Sequence, residues 1–291
     1  MISVVIANYN SKDLLRQCLG SLRRQSFRDI EVIVVDNASK DGSVEMLESF
    51  YPEARLIKNT TNLLFCRAQN QGINTSRGSF ILCLNSDVVL DKDYLKEALR
   101  AVASEANIGM ISGKIMRPDG KIIDSTGLFL GRNRKAVERG YGKPDKGQYD
   151  EPGYVFGVTG ACAFLKKDML EDIKDKNGYF DEDFGMYYED LDICWRANKK
   201  GWKCYYNPKA MAYHVRGGTA VGQGAGRGPN VIHLSGDLRA MYIANRYKCM
   251  KKNDTVPGFL INLPFILWYN TKLYIYFLLY RSRLLDAIWR L

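Results

Sequence analysis

The first hundred residues alternate between short apolar runs and longer amphipathic segments. The apolar runs predict buried β-strands at Ile2–Ala7, Ile30–Val35, Ala54–Ile57 and Ser79–Leu84. The segments between and after them predict helices at Lys12–Arg24, Ser43–Phe50, Phe65–Thr75 and Lys92–Ser104. Fully apolar strands that alternate with helices are typical of a mostly parallel sheet covered by helices on both faces. The sequence therefore predicts an α/β fold.

Polar side chains follow three of these four strands. They are Asn8, Tyr9 and Asn10 after the first strand, Asp36 and Asn37 after the second, and Asn85, Ser86 and Asp87 after the fourth. In open α/β sheets, ligands bind at the carboxyl ends of the strands. A purely structural sheet does not require polar residues at every such end. The pattern thus predicts a ligand site along this edge of the sheet.

Two carboxylates at this edge suit specific roles. Asp36 can accept the imide N–H of a uracil or thymine ring, and Asp87 can hold a divalent cation that bridges two phosphates. The alternative for both is a helix cap, a position that Asp, Asn and Ser favour. Because Asp36 and Asn37 supply two candidates where one cap suffices, the pattern favours ligand binding at Asp36.

The segment Met186–Asp192 places three carboxylates, Glu189, Asp190 and Asp192, directly after an aromatic pair. Carboxylates this close repel one another, and the repulsion raises the pKa of one of them. A carboxylate with a raised pKa can take a proton from a hydroxyl group. The alternative is an acidic first helical turn, which the helix dipole favours. Two interpretations therefore stay open, an enzyme that activates an alcohol and an ordinary helix start.

His214 is one of only two histidines, and it precedes a segment, residues 216–228, with six glycines and two arginines. That composition predicts a flexible lid. Imidazole is a common metal ligand, although a lone histidine is more often structural. The place of His214 beside the predicted lid favours a role at a metal or phosphate site. His233 has no such setting and stays unassigned.

Charge and composition limit the class of protein. The 291-residue chain is 46% hydrophobic, which excludes wholesale disorder, and its net charge is +10. That charge predicts an anionic partner, either a nucleotide, a phospholipid surface or a nucleic acid. No recognised nucleic-acid motif accompanies it, so we expect no nucleic-acid partner. The glycine-, lysine- and aspartate-rich residues 131–153 predict a mobile surface loop. Further strands are predicted at Val155–Leu165, a run that contains Gly160, and at Lys203–Tyr206.

The seven cysteines contain no Cys-x-x-Cys pair and lie among apolar residues. This pattern predicts buried, reduced thiols in a cytosolic protein and excludes a structural zinc site. The apolar run Ile2–Ala7 lacks the basic leader and cleavage site of a signal peptide. We therefore expect the catalytic part of the chain in the cytosol.

Several nucleotide and hydrolase motifs are missing. No Gly-x-Gly-x-x-Gly follows the first strand, and the chain has no Gly-Lys-Ser/Thr loop and no Gly-x-Ser-x-Gly elbow. A classical dinucleotide dehydrogenase, a P-loop enzyme and an α/β-hydrolase are therefore excluded. A sugar nucleotidylyltransferase would begin with a Gly-rich, Arg-bearing loop, which Ile6–Ser11 does not supply.

From residue 2 to about residue 218 the chain resembles the family-2 glycosyltransferases of the GT-A fold, particularly the rhamnosyltransferase-like branch. The resemblance rests on ordered blocks at Ser3–Asn10, Val34–Ser43, Asn62–Gly72, Leu84–Asp87, Thr159–Cys162, Phe180–Asp192, and His214 with Gly217 and Gly218. It implies a nucleotide-diphospho-sugar transferase domain at residues 1–228, followed by a C-terminal helical extension at residues 229–291.

The resemblance also implies an activity. It implies inverting transfer of a sugar from a UDP- or dTDP-linked donor to a hydroxyl of a saccharide or lipid-linked saccharide in cell-surface polysaccharide assembly. Asp190 matches the usual catalytic base, with Glu189 beside it. Mg²⁺ or Mn²⁺ is expected on Asp87 with His214, where Asn85-Ser86-Asp87 replaces the fullest Asp-x-Asp motif. The alternative is a non-catalytic sugar-nucleotide or polyprenyl-phosphate binding module on the same fold.

The remaining site residues are carried over from the same blocks. Donor binding is expected from Ala7, Asn8, Tyr9, Asn10, Asp36, Asn37, Asn62, Arg67, Asn70, Asn85, Ser86 and Asp87. Substrate binding is expected from Gly160, Ala161, Met186, Trp195 and Arg216.

The C-terminal segment Val256–Tyr280 is aromatic and apolar and has basic residues on both flanks. It reaches the ~20-residue length of a membrane span, but it contains Pro264, Asn270 and Lys272. Tyr269, Lys272, Tyr276 and Arg283 fall on one helical stripe, whose polar tips are expected to face water. These features favour a helix in the interface of an anionic membrane, which would place the enzyme on the inner face of the cell membrane. The alternatives are a helix packed on the main domain and a homodimer face.

Overall fold

The computed structural model describes residues 1–216 and 236–280. The strands are β1 (Ile2–Asn8), β2 (Ile30–Asp36), β3 (Arg55–Lys58), β4 (Phe80–Asn85), β5 (Val88–Leu90), β6 (Ile108–Met116), β7 (Ile123–Ser125), β8 (Leu128–Leu130), β9 (Ala136–Glu138), β10 (Gly153–Val155), β11 (Cys162–Lys166) and β12 (Lys203–His214). The helices are α1 (Lys12–Arg23), α2 (Ser43–Phe50), α3 (Leu64–Thr75), α4 (Tyr94–Val102), α5 (Lys167–Ile173), α6 (Glu189–Lys199), α7 (Gly236–Asn253) and α8 (Val256–Tyr280), with a 3₁₀ turn at Glu182–Phe184.

A ten-stranded sheet forms the centre, in the order β10-β12-β6-β11-β4-β1-β2-β3, with β5 beside β12 and β7 beside β6. Strands β3, β2, β1 and β4 are parallel. Because β11 is antiparallel to both β4 and β6, and β12 is parallel to β6, strands β6 and β12 point the same way as β4. The predicted mostly parallel sheet is confirmed.

Helices cover both faces of the sheet, as the fully apolar strands predicted. On β1, the side chains of Val4 and Ile6 belong to one buried core with α1, and the side chain of Val5 belongs to the core on the opposite face. Helix α3 lies close against that second face. A Cβ atom on Gly72 would stand 2.2 Å from Val5 Cγ1, so a larger residue would push α3 away from β1.

Three segments differ from the prediction. The predicted strand Val155–Leu165 is interrupted, and β10 and β11 are separate strands with Gly160 in the turn between them. The predicted surface loop at residues 131–153 contains β9, which pairs with β8. The predicted strand Lys203–Tyr206 continues to His214, across a register shift between Asn207 and Met211. The three differences bring the backbone N–H of Gly160, the carboxyl of Glu138 and the imidazole of His214 to the site described below.

The C-terminal helices contact the main domain. Helix α7 packs against α6 and the 3₁₀ turn, and α8 buries Ile266 while Leu260, Ile261 and Trp268 remain exposed. Within the described ranges, no helix is both long enough and apolar enough to cross a membrane. The predicted lid beyond Arg216 and the basic residues after α8 lie outside the described residues.

Candidate functional site

The carboxyl ends of β1, β2 and β4 meet, as predicted. The Asn8 Nδ2 group donates to Asp36 Oδ1 at 2.8 Å and to Ser39 Oγ at 3.2 Å. The Ser11 hydroxyl donates to Asn8 Oδ1 and lies 2.8 Å from the Ser86 hydroxyl. All but Ser39 of these side chains are buried, so a hydrogen-bonded network joins the three strand ends.

Asp36 closes the turn after β2 and does not cap α2. Its Oδ1 accepts from Asn8, and its Oδ2 accepts from the backbone N–H of Ser39 at 2.9 Å. The carboxylate that bonds to the first turn of α2 is Asp41, through the backbone N–H of Ser43 at 3.1 Å. Each carboxylate oxygen has a second lone pair, so Asp36 keeps acceptor capacity for a ligand.

The predicted donor residues on and near α3 differ in their surroundings. Asn70 is buried and holds Phe180 from both sides, since its Nδ2 donates to the Phe180 carbonyl at 2.8 Å and its Oδ1 accepts from the Phe180 N–H at 3.0 Å. Arg67 lies at the surface and pairs with Glu182 at 3.0 Å. Asn62 accepts from the N–H of Leu64. Asn70 therefore connects α3 to the loop that leads to the acidic segment.

Five predicted donor residues complete this edge. Tyr9 is 37% exposed, and Asn10, which has a positive φ of 48°, accepts from the N–H of Lys40 at 2.7 Å. The Asn37 Nδ2 group donates to the carbonyl of Leu64 at 3.2 Å. Ala7 and Asn85 pair across β1 and β4.

His214 lies between two carboxylates. Its Nε2 is 3.2 Å from Asp87 Oδ1, and its Nδ1 is 2.9 Å from Asp124 Oδ2. Burial alone would lower the pKa of His214, but hydrogen bonds to Asp124 and Asp87 outweigh it and raise this pKa to about 9. The structure thus brings the predicted pair Asp87 and His214 together and adds Asp124, which the sequence analysis missed.

Arg216 joins the same cluster. Its Nε donates to Asp124 Oδ1 at 2.6 Å, its guanidinium lies 4.8 Å from the centre of the Tyr141 ring, and its NH2 is 3.6 Å from Glu138 Oε1. Burial raises the pKa of Glu138 to about 7, although Arg216 and the Ser125 hydroxyl oppose the shift. Glu138 and Tyr141 lie in the segment predicted as a surface loop. The only sequence signal for Asp124 is a charge inside the otherwise uncharged run Ile122–Leu130.

The acidic segment begins α6 after a strained turn. Tyr187 and Tyr188 both have positive φ, 70° and 69°, a conformation that bulky residues rarely adopt. The backbone N–H of Gly160 donates to Asp190 Oδ2 at 3.2 Å, and the N–H of Leu191 donates to Asp190 Oδ1 at 2.7 Å. The first turn of α6 is acidic, as the helix-start interpretation predicted.

Burial governs the acidity of Glu189 and Asp190. Burial and the charge of Asp190 raise the pKa of Glu189 well above its ordinary value. Burial also raises the pKa of Asp190, and the N–H groups of Gly160 and Leu191 partly offset that shift. No donor among the described residues reaches Glu189 Oε2. The pair therefore holds its protons more tightly than surface carboxylates do, and each carboxylate is a stronger base when it has lost its proton.

Asp192 serves a different purpose from its two neighbours. It is fully buried, its Oδ1 accepts from Asn253 at 2.7 Å, and its Oδ2 accepts from Arg196 at 2.8 Å and lies 3.3 Å from Lys252 Nζ. These contacts tie α6 to α7. Asp192 is therefore a structural anchor of the acidic segment.

Helix α7 also holds the turn before α6. The Asn245 Nδ2 group lies within hydrogen-bond distance of three carbonyl oxygens, those of Phe184 at 2.7 Å, Met186 at 2.8 Å and Tyr187 at 3.0 Å. The Tyr242 ring contacts the rings of both Tyr187 and Tyr188. The sequence analysis missed this role of α7 because it depends on a contact between distant segments.

Two predicted substrate residues lie deeper than expected. Trp195 is buried between Phe156 and Arg134. Ala161 is also buried, and its carbonyl accepts from the N–H of Asn85. The backbone N–H of Gly160 donates to Asp190, and the carbonyl oxygen of Met186 accepts from Asn245.

A sequence model of the family described as Glycosyl transferase family 2 matches residues 3–174, more than half of the chain. The chain belongs to glycosyl transferase family 2. The match covers the strand ends, Asp87, Asp124 and Glu138, and it ends before the acidic segment.

Curated relatives of this glycosyltransferase are longer proteins. Poly-beta-1,6-N-acetyl-D-glucosamine synthase of Staphylococcus aureus strain MSSA476 is 22% identical over 221 residues, which cover 73% of this chain and 49% of that protein. Putative glycosyltransferase EpsH of Bacillus subtilis strain 168 is 32% identical over 127 residues, which cover 43% of this chain and 37% of that protein. The chain thus spans half or less of the length of these relatives.

Solved structures share the fold of this glycosyltransferase. Mannosyltransferase PcManGT from Pyrobaculum calidifontis, in complex with GDP-Man and Mn²⁺, superposes with a TM-score of 0.59 at 17% identity and covers 98% of this chain and 72% of that chain. S. aureus TarS superposes with a TM-score of 0.56 at 18% identity and covers 89% and 45% of the two chains. The predicted GT-A fold is confirmed.

The residues present fit a divalent cation such as Mg²⁺ or Mn²⁺. Asp87 supplies a carboxylate and His214 an imidazole nitrogen, Nε2, that already faces it. The other ring nitrogen is held by a buried carboxylate, an arrangement common behind metal-binding histidines. Within the described part of the chain, no cluster of three or more such ligands exists, so substrate oxygens would complete the coordination.

Proposed function

We propose that this glycosyltransferase inverts the anomeric carbon of a sugar as it moves the sugar from a UDP- or dTDP-linked donor to a hydroxyl of a saccharide or lipid-linked saccharide. The observation that carries the proposal is the adjacent pair of the buried Glu189 and the half-buried Asp190, two carboxylates with raised pKa values beside the Gly160 turn. The proposed setting is cell-surface polysaccharide assembly, and the proposed subtype is rhamnosyltransferase-like. A relative named as a polysaccharide synthase supports the setting.

In the proposed reaction, Asp190 takes the proton of the acceptor hydroxyl. The acceptor oxygen bonds to the anomeric carbon while the bond from that carbon to the diphosphate oxygen breaks, and its electron pair leaves with the nucleoside diphosphate. Attack from the face opposite the diphosphate inverts the configuration. The N–H groups of Gly160 and Leu191 fix the orientation of the Asp190 carboxylate before the acceptor binds.

Charge on the leaving diphosphate is proposed to be stabilised by the cluster of Asp87, His214 and Arg216. Asp87 and His214 would hold Mg²⁺ or Mn²⁺, which when bound neutralises charge on the departing diphosphate. Arg216 lies in the same cluster through Asp124 and is proposed to contact the diphosphate. Asp36 is proposed to bind the nucleotide base. The exposed ring of Tyr9 is proposed to pack against that base.

The acceptor is proposed to approach from a cleft of about 490 Å³ between α3, the 3₁₀ turn and α7. Its lining combines apolar side chains, such as Leu64 and Met241, with the charged Arg67 and Lys248. Met186, Gly160 and Ala161 are proposed to bind the acceptor or the donor sugar, and Trp195 to support them from the core.

The proposed location is the inner face of the cell membrane, with α8 as the contact. The domain division proposed from the sequence, residues 1–228 and 229–291, separates catalysis from membrane binding. Helix α7 falls in the second of these segments, and its contacts with Asp192 and the turn before α6 join that segment to the first. The alternative is that the exposed face of α8 joins two copies of the chain.

A panel of UDP- and dTDP-linked sugars tests the proposal. We expect one donor to be slowly hydrolysed by the protein alone and to be transferred when a saccharide acceptor is added, with NMR showing an inverted anomeric centre in the product. A product with retained configuration would refute the mechanism. Donor binding without hydrolysis or transfer, under conditions with Mg²⁺ and Mn²⁺, would support the non-catalytic module instead.

A further inference from the structure

Asp124 is a fully buried charge near the site. Three cationic groups surround it: Arg117 Nε at 2.9 Å, Arg216 Nε at 2.6 Å and His214 Nδ1 at 2.9 Å. A buried carboxylate is costly unless it is paired, and Asp124 has hydrogen bonds with His214 and Arg216 and a third cation, Arg117, at ion-pair distance. The pKa of Asp124 stays below its ordinary value because His214 and Arg216 outweigh the opposing effect of burial.

We propose that Asp124 is a positioning residue that aims His214 and Arg216 at the diphosphate side of the site. Its Oδ2 engages Nδ1 of His214, which leaves Nε2 as the nitrogen that faces Asp87. Its Oδ1 engages Nε of Arg216, which fixes the plane of the guanidinium over the Tyr141 ring. One carboxylate thus orients both groups. This inference rests on the proposed function, in which these groups meet a metal ion and a diphosphate.

The backbone makes this arrangement rigid. Strand β7, which carries Asp124, pairs with β6 through Ile115 and Ser125. Strand β12, which carries His214, pairs with the other edge of the same β6 and with Val88 of β5, next to Asp87. Sites built on strands hold their geometry better than sites built on loops. Asp124 and His214 therefore meet because two sheet ladders place them there.

The competing explanation is that Asp124 only neutralises buried cations. A purely structural ion pair would affect unfolding without selecting which nitrogen of His214 faces the ligand. The two explanations differ in the chemistry of one imidazole ring. They can be separated in the unmodified protein, because the chain has only two histidines.

The first experiment is ¹⁵N NMR of histidine-labelled protein, with His214→Gln used to assign the signals. On addition of Mg²⁺ with UDP or dTDP, we expect Nε2 of His214 to lose its proton and shift, while Nδ1 keeps its proton. A response at Nδ1 would overturn the inference, since Asp124 would then not hold that nitrogen. This test needs no variant of Asp124 and stays decisive if such variants do not fold.

The second experiment compares Asp124→Asn with the matched control Asp145→Asn, which removes a carboxylate from the Lys114 ion pair away from His214. We expect Asp124→Asn to weaken Mn²⁺ binding about 10–100-fold, the usual effect of losing a partner behind a metal-binding histidine. The control is expected to bind Mn²⁺ normally. A folded Asp124→Asn protein with normal Mn²⁺ affinity would refute the inference.

Failure of the proposed function gives a different result. If the wild-type protein binds no Mn²⁺ or Mg²⁺ in either assay, the proposed metal site is wrong. The positioning of Arg216 then still predicts that Asp124→Asn weakens binding of UDP or dTDP relative to Asp145→Asn. Equal nucleotide affinity in the two variants would overturn the inference on Asp124 as well.

Discussion

At the scale of single residues, the carboxylates of the site differ in the partners that surround them. Asp124 faces three cationic groups, and Asp192 faces Arg196, Lys252 and Asn253. Asp190 accepts only backbone N–H groups in the hydrogen bonds described above, and one oxygen of Glu189 meets no donor among the described residues. Asp124 and Asp192 are therefore anchors by their contacts, whereas burial raises the pKa values of Glu189 and Asp190 and suits that pair to proton exchange.

Replacement of Asp190 by Asn tests the proposed base. Loss of a general base typically lowers turnover by ~10²–10⁴-fold, and we expect that loss without a change in donor affinity. Asn keeps the size of the side chain and can still accept from the Gly160 N–H. Steady-state transfer rates and donor titration measure the two effects, with the exposed Asp168→Asn on α5 as the matched control. Normal turnover in Asp190→Asn, together with loss in Glu189→Gln, would assign the base to Glu189.

The raised pKa of Glu138 is expected to make donor binding depend on pH. With a pKa of about 7, its carboxyl is neutral below that pH and charged above it, where it attracts the guanidinium of Arg216. Affinity for a nucleotide-diphospho-sugar should therefore fall as the pH rises from about 6 to about 8, by the twofold to fivefold of a partly exposed charge pair. The donor itself does not titrate in that window. The prediction applies to binding measured with a chelator present, where His214 stays charged because its pKa is about 9.

The variant Glu138→Gln has no charge to gain, so its donor affinity should be flat over the same pH window. Calorimetric titration of wild type and variant at several pH values makes the comparison. An equal slope in both proteins would show that another group causes the pH dependence. Affinity that rises with pH in the wild type would contradict the sign of the argument.

At the scale of elements, α7 acts as a brace for the acidic segment. Asn245 holds three carbonyl groups of the turn, while Tyr242 packs on the strained Tyr187 and Tyr188. Residues with unfavourable φ persist only where their surroundings over-determine them. The brace therefore keeps Glu189 and Asp190 in place at the start of α6.

Removal of this brace should lower turnover more than it lowers binding. We expect Asn245→Ala to reduce kcat about 10-fold or more, since small misplacements of a catalytic group are costly, while donor affinity changes little. The exposed Asn107→Ala serves as the control. Unchanged kcat in a folded Asn245→Ala protein would show that the turn keeps its geometry without α7.

Much of the element order could be predicted from the sequence, for a physical reason. Buried parallel strands such as β1 and β2 must be apolar throughout, and the polar residues at their ends then mark the ligand edge. Short strands such as β7 and β9 leave no periodic pattern in three residues. Their positions depend on pairing with distant strands, which local patterns do not encode.

The same limit applies within the site. The contacts of Asn8 with Asp36 and of His214 with Asp87 follow from strand ends that the sequence marks clearly. Asp124, by contrast, contacts His214, which lies 90 positions further along the chain. The sequence around either residue does not predict this contact. Local patterns therefore predicted the candidate ligand groups and missed the residue that orients them.

At the scale of the whole molecule, α8 combines one docked side and one exposed side. Ile266 is buried, and Arg246 of α7 contacts both Tyr269 and Asn270. Tyr269, expected to face water in a membrane-bound helix, therefore faces the protein. The opposite side exposes an apolar surface formed by Leu260, Ile261, Leu267, Trp268, Ile275, Leu278 and Leu279. Contiguous apolar surface of this kind marks an interaction site, and the net charge of +10 favours an anionic membrane as the partner.

Substitutions on this surface test membrane binding without removing α8. We expect Ile261→Asp with Trp268→Asp to release the protein from liposomes that contain anionic lipid, because both side chains are more than half exposed and would lose their contact with the acyl region. Phe50→Asp, at an equally exposed apolar residue on α2, should leave sedimentation with liposomes unchanged. Deletion of residues 256–291 should have the same effect as the double variant, with donor binding intact.

Salt and self-association separate the two explanations of the exposed surface. Each basic residue near an anionic membrane adds roughly 1 kcal/mol of attraction, which salt screens. The contribution of apolar side chains buried in the membrane persists at high salt. Membrane binding should therefore weaken, but not vanish, as salt increases. If the intact protein never sediments with liposomes and analytical ultracentrifugation shows a dimer that Ile261→Asp with Trp268→Asp dissociates, the surface joins two copies of the chain, and the proposed membrane location is wrong.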